Sequence, residues 1–105
     1  MKILFDQGTP APLRQFLAKH SVVTVYEKRW NLLKNGDLIR LAEGEGFEVF
    51  VTTDSNLKYQ QDLQTRTIAI VALLSTNWPK IRKKTLVVIA AIEAAAKGTY
   101  SEINI

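Results

Sequence analysis

Residues 47–56 of this 105-residue chain read Phe-Glu-Val-Phe-Val-Thr-Thr-Asp-Ser-Asn, and the rest of the chain is organised around them. Val49, Phe50 and Val51 form a β-branched and aromatic run closed by polar residues, which predicts a short buried strand. Asp54 lies just past the carboxyl end of that strand. In open α/β sheets ligands bind outside this end of the strands, so Asp54 is the first candidate functional residue.

Predicted strands and helices alternate on both sides of this stretch. The strands are expected at Lys2–Phe5, Val22–Tyr26, Val49–Val51, Thr67–Leu73 and Tyr100–Ile105. The helices are expected from Pro10, capped by Thr9, to His20; from Asn35 or Gly36 to Gly44; as a short helix or turn at Asn56–Leu63; and as one long helix from Pro79 to Gly98. Thr52 and Thr53 are expected to carry the chain out of the sheet.

This alternation predicts the α/β fold class: a mainly parallel five-stranded sheet with helices on both faces, in one domain over residues 1–105. The near-continuous apolar run at Thr67–Leu73 is typical of a strand covered on both faces. We expect the first strand to lie between the second and the third.

Composition narrows the range of functions. The hydrophobic fraction of 47% fits a globular core. No apolar run is long enough to span a membrane, and the start, Met1–Asp6, is unlike a signal peptide, so we expect a cytoplasmic protein. With no cysteine and one histidine, the sequence excludes thiolate zinc sites, a cysteine nucleophile and a two-histidine mechanism.

Carboxylates follow two of the predicted strands. Asp6 and Asp54 each stand at the carboxyl end of an apolar strand, and neighbouring parallel strands would bring them to one edge of the sheet. Carboxylate oxygens suit Mg²⁺ or Mn²⁺, and close like charges favour a cation between them. Asp37, at a predicted helix N-terminus, and the amide oxygen of Asn56 are expected to complete the site. The competing interpretation is that these aspartates cap turns and helices.

Four cations fall in the first turns of the predicted long helix: Lys80, Arg82, Lys83 and Lys84. The helix dipole disfavours cations there, which favours a phosphate-binding role, with Lys58 adding charge close after Asp54. Trp78 could stack on a base, although core packing is favoured for it. The alternative for the cations is a solvated face. A net charge of +4 is compatible with a nucleic-acid partner.

Three segments, taken in order and spacing, carry a resemblance to a known family. They are Lys2–Gly8 (Lys-Ile-Leu-Phe-Asp-Gln-Gly), Gly36–Ala42 with its leading Asp37, and Val51–Leu57 (Val-Thr-Thr-Asp-Ser-Asn-Leu). The chain resembles the compact PIN-like domains that are the toxin components of bacterial toxin–antitoxin pairs, relatives of VapC. The resemblance covers nearly the whole chain.

The resemblance implies a PIN-like three-layer sandwich and a Mg²⁺- or Mn²⁺-dependent ribonuclease. Asp6, Asp37 and Asp54 would be metal ligands and, with Asn56, the catalytic residues. RNA would be the substrate, and a cognate antitoxin protein and a second copy of the chain would be partners. Related sequences often have glutamate at the position of Gln7 and aspartate at that of Asn56, so two negative charges are absent here.

Two other functions stay open. The first is a PIN-like binding module without catalysis, which the two missing charges favour. The second is a receiver-like domain, because receivers place carboxylates after the first and third strands, bind Mg²⁺ and accept a phosphoryl group on the latter. Ser75 or Thr76 after the fourth strand fits that pattern, whereas the neutral Gln7 and the absence of a lysine after the fifth strand do not.

Overall fold

We describe a computed structural model of the chain, which covers residues 1–57 and 66–105. Its five strands are β1 (Lys2–Phe5), β2 (Ser21–Thr24), β3 (Val49–Thr52), β4 (Ala69–Leu73) and β5 (Tyr100–Ile103). They form one sheet in the order β2-β1-β3-β4-β5, and all four pairings are parallel. The predicted position of the first strand, between the second and the third, is therefore confirmed.

Four helical segments pack around the sheet in the described part of the chain. They are a 3-10 helix (Ala11–Leu17) and the α-helices α1 (Asn35–Gly44), α2 (Trp78–Arg82) and α3 (Thr85–Ala94). The expected helix or turn at Asn56–Leu63 lies mostly outside the described residues, as does Lys58. Within residues 1–57 and 66–105, no helix has the length and apolar character needed to cross a membrane.

Alternating side chains along the strands build a core on each face of the sheet. Ile3, Val49 and Val51 point to one face, where they pack with the 3-10 helix, α2 and α3. Leu4 and Phe50 point to the other, where they pack with α1. This alternation is the period-2 geometry of a strand, and every residue of β3 and β4 is buried. The α/β three-layer architecture predicted from the sequence is confirmed.

The first predicted helix is wrong in type and in its cap. Residues Ala11–Leu17 form a 3-10 helix, and the N-cap position is Pro10, without a side-chain cap. The buried hydroxyl of Thr9 instead donates to the Val51 carbonyl, 2.9 Å away. Because that bond ties the loop after β1 to β3, tertiary structure uses the side chain that local sequence signals assign to a helix cap.

The predicted long helix is also wrong, because it is two helices. Lys83 and Lys84 lie in a turn between α2 and α3, and Lys84 has φ −120° and ψ 22°, outside the helical region. Ile81, Val88 and Ile92 still reach the same core, so their apolar spacing suits one helix or two. The break carries no glycine or proline that would signal it.

Three strand ends also differ from prediction, and the first is that of β5, which ends at Ile103 rather than Ile105. β2 ends at Thr24 rather than Tyr26, because Thr24 and Glu27 close a turn in which Glu27 N donates to the Thr24 hydroxyl, 3.1 Å away. β3 runs on through Thr52, so of the two threonines only Thr53 carries the chain out of the sheet.

Candidate functional site

The strand order creates a crevice between the carboxyl ends of β1 and β3. From β1 the chain moves outward to β2, and it then returns to place β3 on the other side of β1. In open α/β sheets ligands bind at such a switch in strand order. Asp6 follows β1 and Asp54 follows β3, so both predicted carboxylates flank this crevice.

A single hydroxyl links the two aspartates. The Thr52 hydroxyl donates to Asp6 Oδ2, 2.8 Å away, and accepts from the Asp54 backbone N–H, 3.1 Å away. Thr52 is fully buried, and its side chain shares the α1 face of the sheet with Phe50, two residues earlier. The end of β3 therefore fixes the position of the Asp6 carboxylate relative to Asp54.

The loop after β1 is held against β3 by backbone contacts. Asp6 N donates to the Val51 carbonyl at 2.9 Å, and Gln7 N donates to Asp6 Oδ1, also at 2.9 Å. Gly8 approaches Thr53 so closely that a Cβ at Gly8 would lie 2.2 Å from the Thr53 hydroxyl oxygen. Glycine at this position therefore allows the two loops of the crevice to touch.

Asp54 is oriented by neutral donors on both oxygens. Asn56 N donates to Asp54 Oδ1 at 3.0 Å, and Asn35 Nδ2 donates to Asp54 Oδ2 at 3.3 Å. The side chain of Asn56 lies on the exposed rim beside Asp54. From the sequence, Asn35 was expected only to start a helix. The one sign of a role in the site was its position two residues before Asp37.

The third predicted carboxylate pairs with a cation on its own helix. Asp37 lies in the first turn of α1, where a negative charge complements the helix dipole. Its side chain is 59% exposed, and Arg40 Nη1 donates to Asp37 Oδ1 at 3.2 Å. Among residues 1–57 and 66–105, no three histidine, aspartate or glutamate side chains come together as a group that could hold a metal.

A cleft of about 450 Å³ opens beside Asp6, and we call it the Asp6 cleft. Its walls include Gln7, Thr24, Tyr26 and Thr76. Tyr26 is 60% exposed, and its hydroxyl donates to Gln7 Oε1 at 3.4 Å. Sequence analysis missed Tyr26 because it placed this residue at the end of a strand.

The wall that carries Tyr26 is braced by Glu27. Thr24 N donates to Glu27 Oε1 at 2.9 Å, and the Arg14 guanidinium donates to the same oxygen. These two hydrogen bonds, the backbone one first, hold the pKa of the Glu27 carboxyl below its ordinary value. The lowered pKa means that this carboxylate stays charged, and keeps accepting both bonds, to a lower pH than an ordinary glutamate.

The basic residues occupy the region where α2 meets α3. Lys80 and Arg82 belong to α2, whereas Lys83 and Lys84 form the turn after it. The prediction that these four residues lie in the first turns of one long helix is therefore wrong. Lys84 Nζ donates to the Asn104 carbonyl, 3.1 Å away, which places this turn beside the carboxyl end of β5. Lys58 lies outside the described residues.

The chemistry of the donors at the crevice fits a hard divalent cation. Asp6 and Asp54 offer carboxylate oxygens, and neither forms an ion pair with a residue of the described part of the chain. Asn56 places an exposed amide side chain beside them. Oxygen ligands of this kind suit Mg²⁺ and Mn²⁺, which keep several waters when protein ligands are few.

Protein-family models, curated proteins and solved structures were each compared with this chain, and none of the three comparisons gives a match. We therefore infer the function of this chain from its two carboxylates, its crevice and its fold.

Proposed function

We propose that this chain is a Mg²⁺- or Mn²⁺-dependent ribonuclease of PIN-like type that acts as the toxin of a toxin–antitoxin pair. The observation that carries the proposal is the joining of Asp6 and Asp54 by the buried Thr52 hydroxyl at the switch in strand order. Two carboxylates that form no ion pair within residues 1–57 and 66–105, held at a crevice, favour a divalent ion as their counter-charge.

Asp6 and Asp54 would hold the ion, with Asn56 at the rim and Asp37 completing the site or orienting a water. When bound, the ion would supply a more acidic water and charge neutralisation at the phosphate. The chain itself contributes positioning: Thr52 and Gln7 N fix the Asp6 carboxylate, while Asn35 and Asn56 N fix the Asp54 carboxylate. Such preorganisation is what electrostatic catalysis requires.

RNA is the proposed substrate, and the Asp6 cleft is the proposed path for its backbone. Tyr26 offers an exposed aromatic face on the wall of that cleft, and aromatic faces stack on bases of any sequence. The proposed protein partners are a cognate antitoxin and a second copy of the chain. The proposed compartment is the cytoplasm.

Cleavage of a labelled single-stranded RNA, with Mg²⁺, with Mn²⁺ and with EDTA, tests this proposal. We expect cleavage by the wild type with either ion and none with EDTA. Asp6→Asn and Asp54→Asn should each lower the rate by at least about a hundredfold, in the range of lost transition-state electrostatics. Asp37→Asn, a matched change of one exposed carboxylate, should lower it less. Cleavage that survives in both Asp6→Asn and Asp54→Asn would refute the assignment.

A non-catalytic PIN-like binding module is the second candidate. The observation that favours it is that Asp37 pairs with Arg40, so the described residues bring two rather than three carboxylates to the crevice. In that case the wild type would bind RNA with unchanged affinity in either metal, and no product would form in the cleavage assay.

A receiver-like phosphoacceptor is the third candidate, and the strand order favours it. The order β2-β1-β3-β4-β5 is the flavodoxin-like order that signalling receivers share, and Thr76 after β4 lines the Asp6 cleft. Incubation with a small phosphodonor separates the alternatives, because only a receiver would gain a phosphoryl label that Asp54→Asn removes.

A further inference from the structure

A second cleft of about 450 Å³ lies on the same side of the molecule as α2, and we call it the Trp78 pocket. Its lining residues are Trp78, Pro79, Arg82 and Lys83. Trp78 is half-buried against the core, and its ring packs on Phe16 with centroids 6.0 Å apart and planes at 49°. This packing holds the indole in place, so its position in the pocket is set before any ligand arrives.

The charge of this pocket is unbalanced. Arg82 and Lys83 form no ion pair with any residue in the described ranges 1–57 and 66–105, and the neighbouring Lys80 forms none either. No carboxylate from the described part of the chain lines the pocket. Elsewhere in the described chain, cations such as Arg14 and Lys28 do pair with glutamates. An aromatic wall beside unpaired cations suits a ligand with a flat ring and an anion.

We propose that the Trp78 pocket binds one nucleotide of single-stranded RNA, with the base against the indole and the phosphate against Arg82 and Lys83. Stacking on an aromatic side chain combined with cationic contacts to the backbone is how proteins hold single strands without sequence preference. The proposal rests on RNA as the partner of the proposed function, but it does not depend on a metal or on cleavage.

The chain connects this pocket to the Asp6 cleft. Thr76 lines the Asp6 cleft and Trp78 lines the Trp78 pocket. The walls of the cleft and of the pocket are therefore two residues apart along the chain. Two residues span at most about 7 Å, which is within reach of adjacent nucleotides of one strand. The pocket would therefore hold a nucleotide that flanks the phosphate positioned near Asp6.

Tryptophan fluorescence provides a direct measurement. The chain has two tryptophans, and Trp30→Phe leaves Trp78 as the single reporter while keeping an aromatic ring against Phe47. We would titrate this variant with a hexauridylate and with uridine monophosphate in EDTA. We expect saturable quenching by the hexamer and weaker quenching by the monomer, because the hexamer adds phosphate contacts.

Variants then test whether the hexamer binds at the Trp78 pocket. They are made in the chain with both tryptophans, and the anisotropy of labelled hexamer measures their affinity. Arg82→Gln/Lys83→Gln should weaken binding and reduce the slope of log affinity against log salt by about 0.7, since both cations are assigned to one phosphate and each neutralised phosphate contributes about 0.7. Trp78→Leu should weaken binding by about fivefold or more. Lys19→Gln/Lys97→Gln removes the same net charge from exposed positions and should leave the slope nearly unchanged.

Equal losses in the Lys19/Lys97 control and in Arg82/Lys83 would overturn the proposal, because they would show a general charge effect. Absence of quenching at Trp78 while the hexamer binds with wild-type affinity would also overturn it. Because these binding measurements are made in EDTA, they do not depend on a metal. Failure of metal-dependent cleavage with intact Trp78 quenching would therefore refute the proposed catalysis and leave nucleotide binding by this pocket supported.

Discussion

At the scale of single residues, Thr52 is the side chain on which the crevice depends. Its hydroxyl serves as donor to Asp6 and as acceptor for Asp54 N–H, and its side chain is fully buried. Sequence analysis found both aspartates from their place after apolar strands. It did not find Thr52, because a threonine at a strand end is ordinary and its bond to Asp6 spans 46 residues.

Thr52→Val keeps the shape of the side chain and removes the hydroxyl. We expect the free energy of unfolding to fall by about 1–3 kcal/mol, because the partly buried Asp54 N–H loses its acceptor and the Asp6 carboxylate loses a donor. Thr52→Ser keeps the hydroxyl and should retain the Asp6 geometry with a smaller packing loss. Urea unfolding of the three proteins without metal measures this. A valine variant more stable than the serine variant would contradict the role of the hydroxyl.

Gly8 and Thr53 form the second residue-scale contact. Gly8→Ala should destabilise the fold, because the new Cβ would overlap the Thr53 hydroxyl oxygen unless that side chain rotates. Thr53→Ala removes the obstructing oxygen, so Gly8→Ala should cost less in that background. A double-mutant cycle by thermal unfolding gives the coupling free energy. Strict additivity of the two changes would show that the loops do not touch as described.

At the scale of elements, Glu43 at the end of α1 clamps the entry to β4. Its carboxylate accepts from the Ile68 N–H and the Thr67 hydroxyl, both 3.1 Å away, and from the Thr67 N–H. Burial raises the pKa of this carboxyl, but the hydrogen bonds from Thr67 and Ile68 outweigh it and leave the pKa below its ordinary value. The pattern of α1 predicted a helix and gave no sign of this contact, because its partners lie 24 residues or more away.

The sign of this shift fixes a pH dependence. Because the folded pKa of Glu43 is lowered, its contribution to stability is full above the ordinary value of 4.5 and is lost as the pH falls through the folded pKa. Glu43→Gln should therefore lower the free energy of unfolding by about 1–3 kcal/mol at pH 7. The gap between variant and wild type should shrink below pH 4.5. Guanidinium unfolding at pH 7 and pH 3.5 measures it, and a gap that widens in acid would contradict the clamp.

The break between α2 and α3 is a feature that the spacing of apolar residues does not predict. Apolar spacing predicted that Ile81, Val88 and Ile92 reach one core, and they do. It could not place the turn at Lys83 and Lys84, because no glycine or proline stands there and Lys84 is held by a distant carbonyl at Asn104. Tertiary contacts thus decide the element boundary, while the periodic pattern decides which face is buried.

At the scale of the whole molecule, the strand order brings Asp6 and Asp54, each recognised from its local sequence, to one edge of the sheet. The parallel sheet and its helices on both faces follow from the alternation of apolar runs, because buried parallel strands need helices on both faces of the sheet. The same rule places strand ends at one edge, so Asp6 and Asp54 could be predicted as neighbours. The orientation of Asp37 toward Arg40 could not, since it depends on where the first turn of α1 faces.

Mn²⁺ binding to the metal-free protein, followed by electron paramagnetic resonance, measures whether Asp6 and Asp54 together hold a divalent ion. We expect the wild type to bind the ion, and Asp6→Asn and Asp54→Asn each to weaken binding by at least about tenfold, because ligand charge sets affinity for hard cations. Asp37→Asn should weaken it less, and circular dichroism should show all three variants folded. Unchanged Mn²⁺ affinity in both Asp6→Asn and Asp54→Asn would rule out a metal site at these two carboxylates.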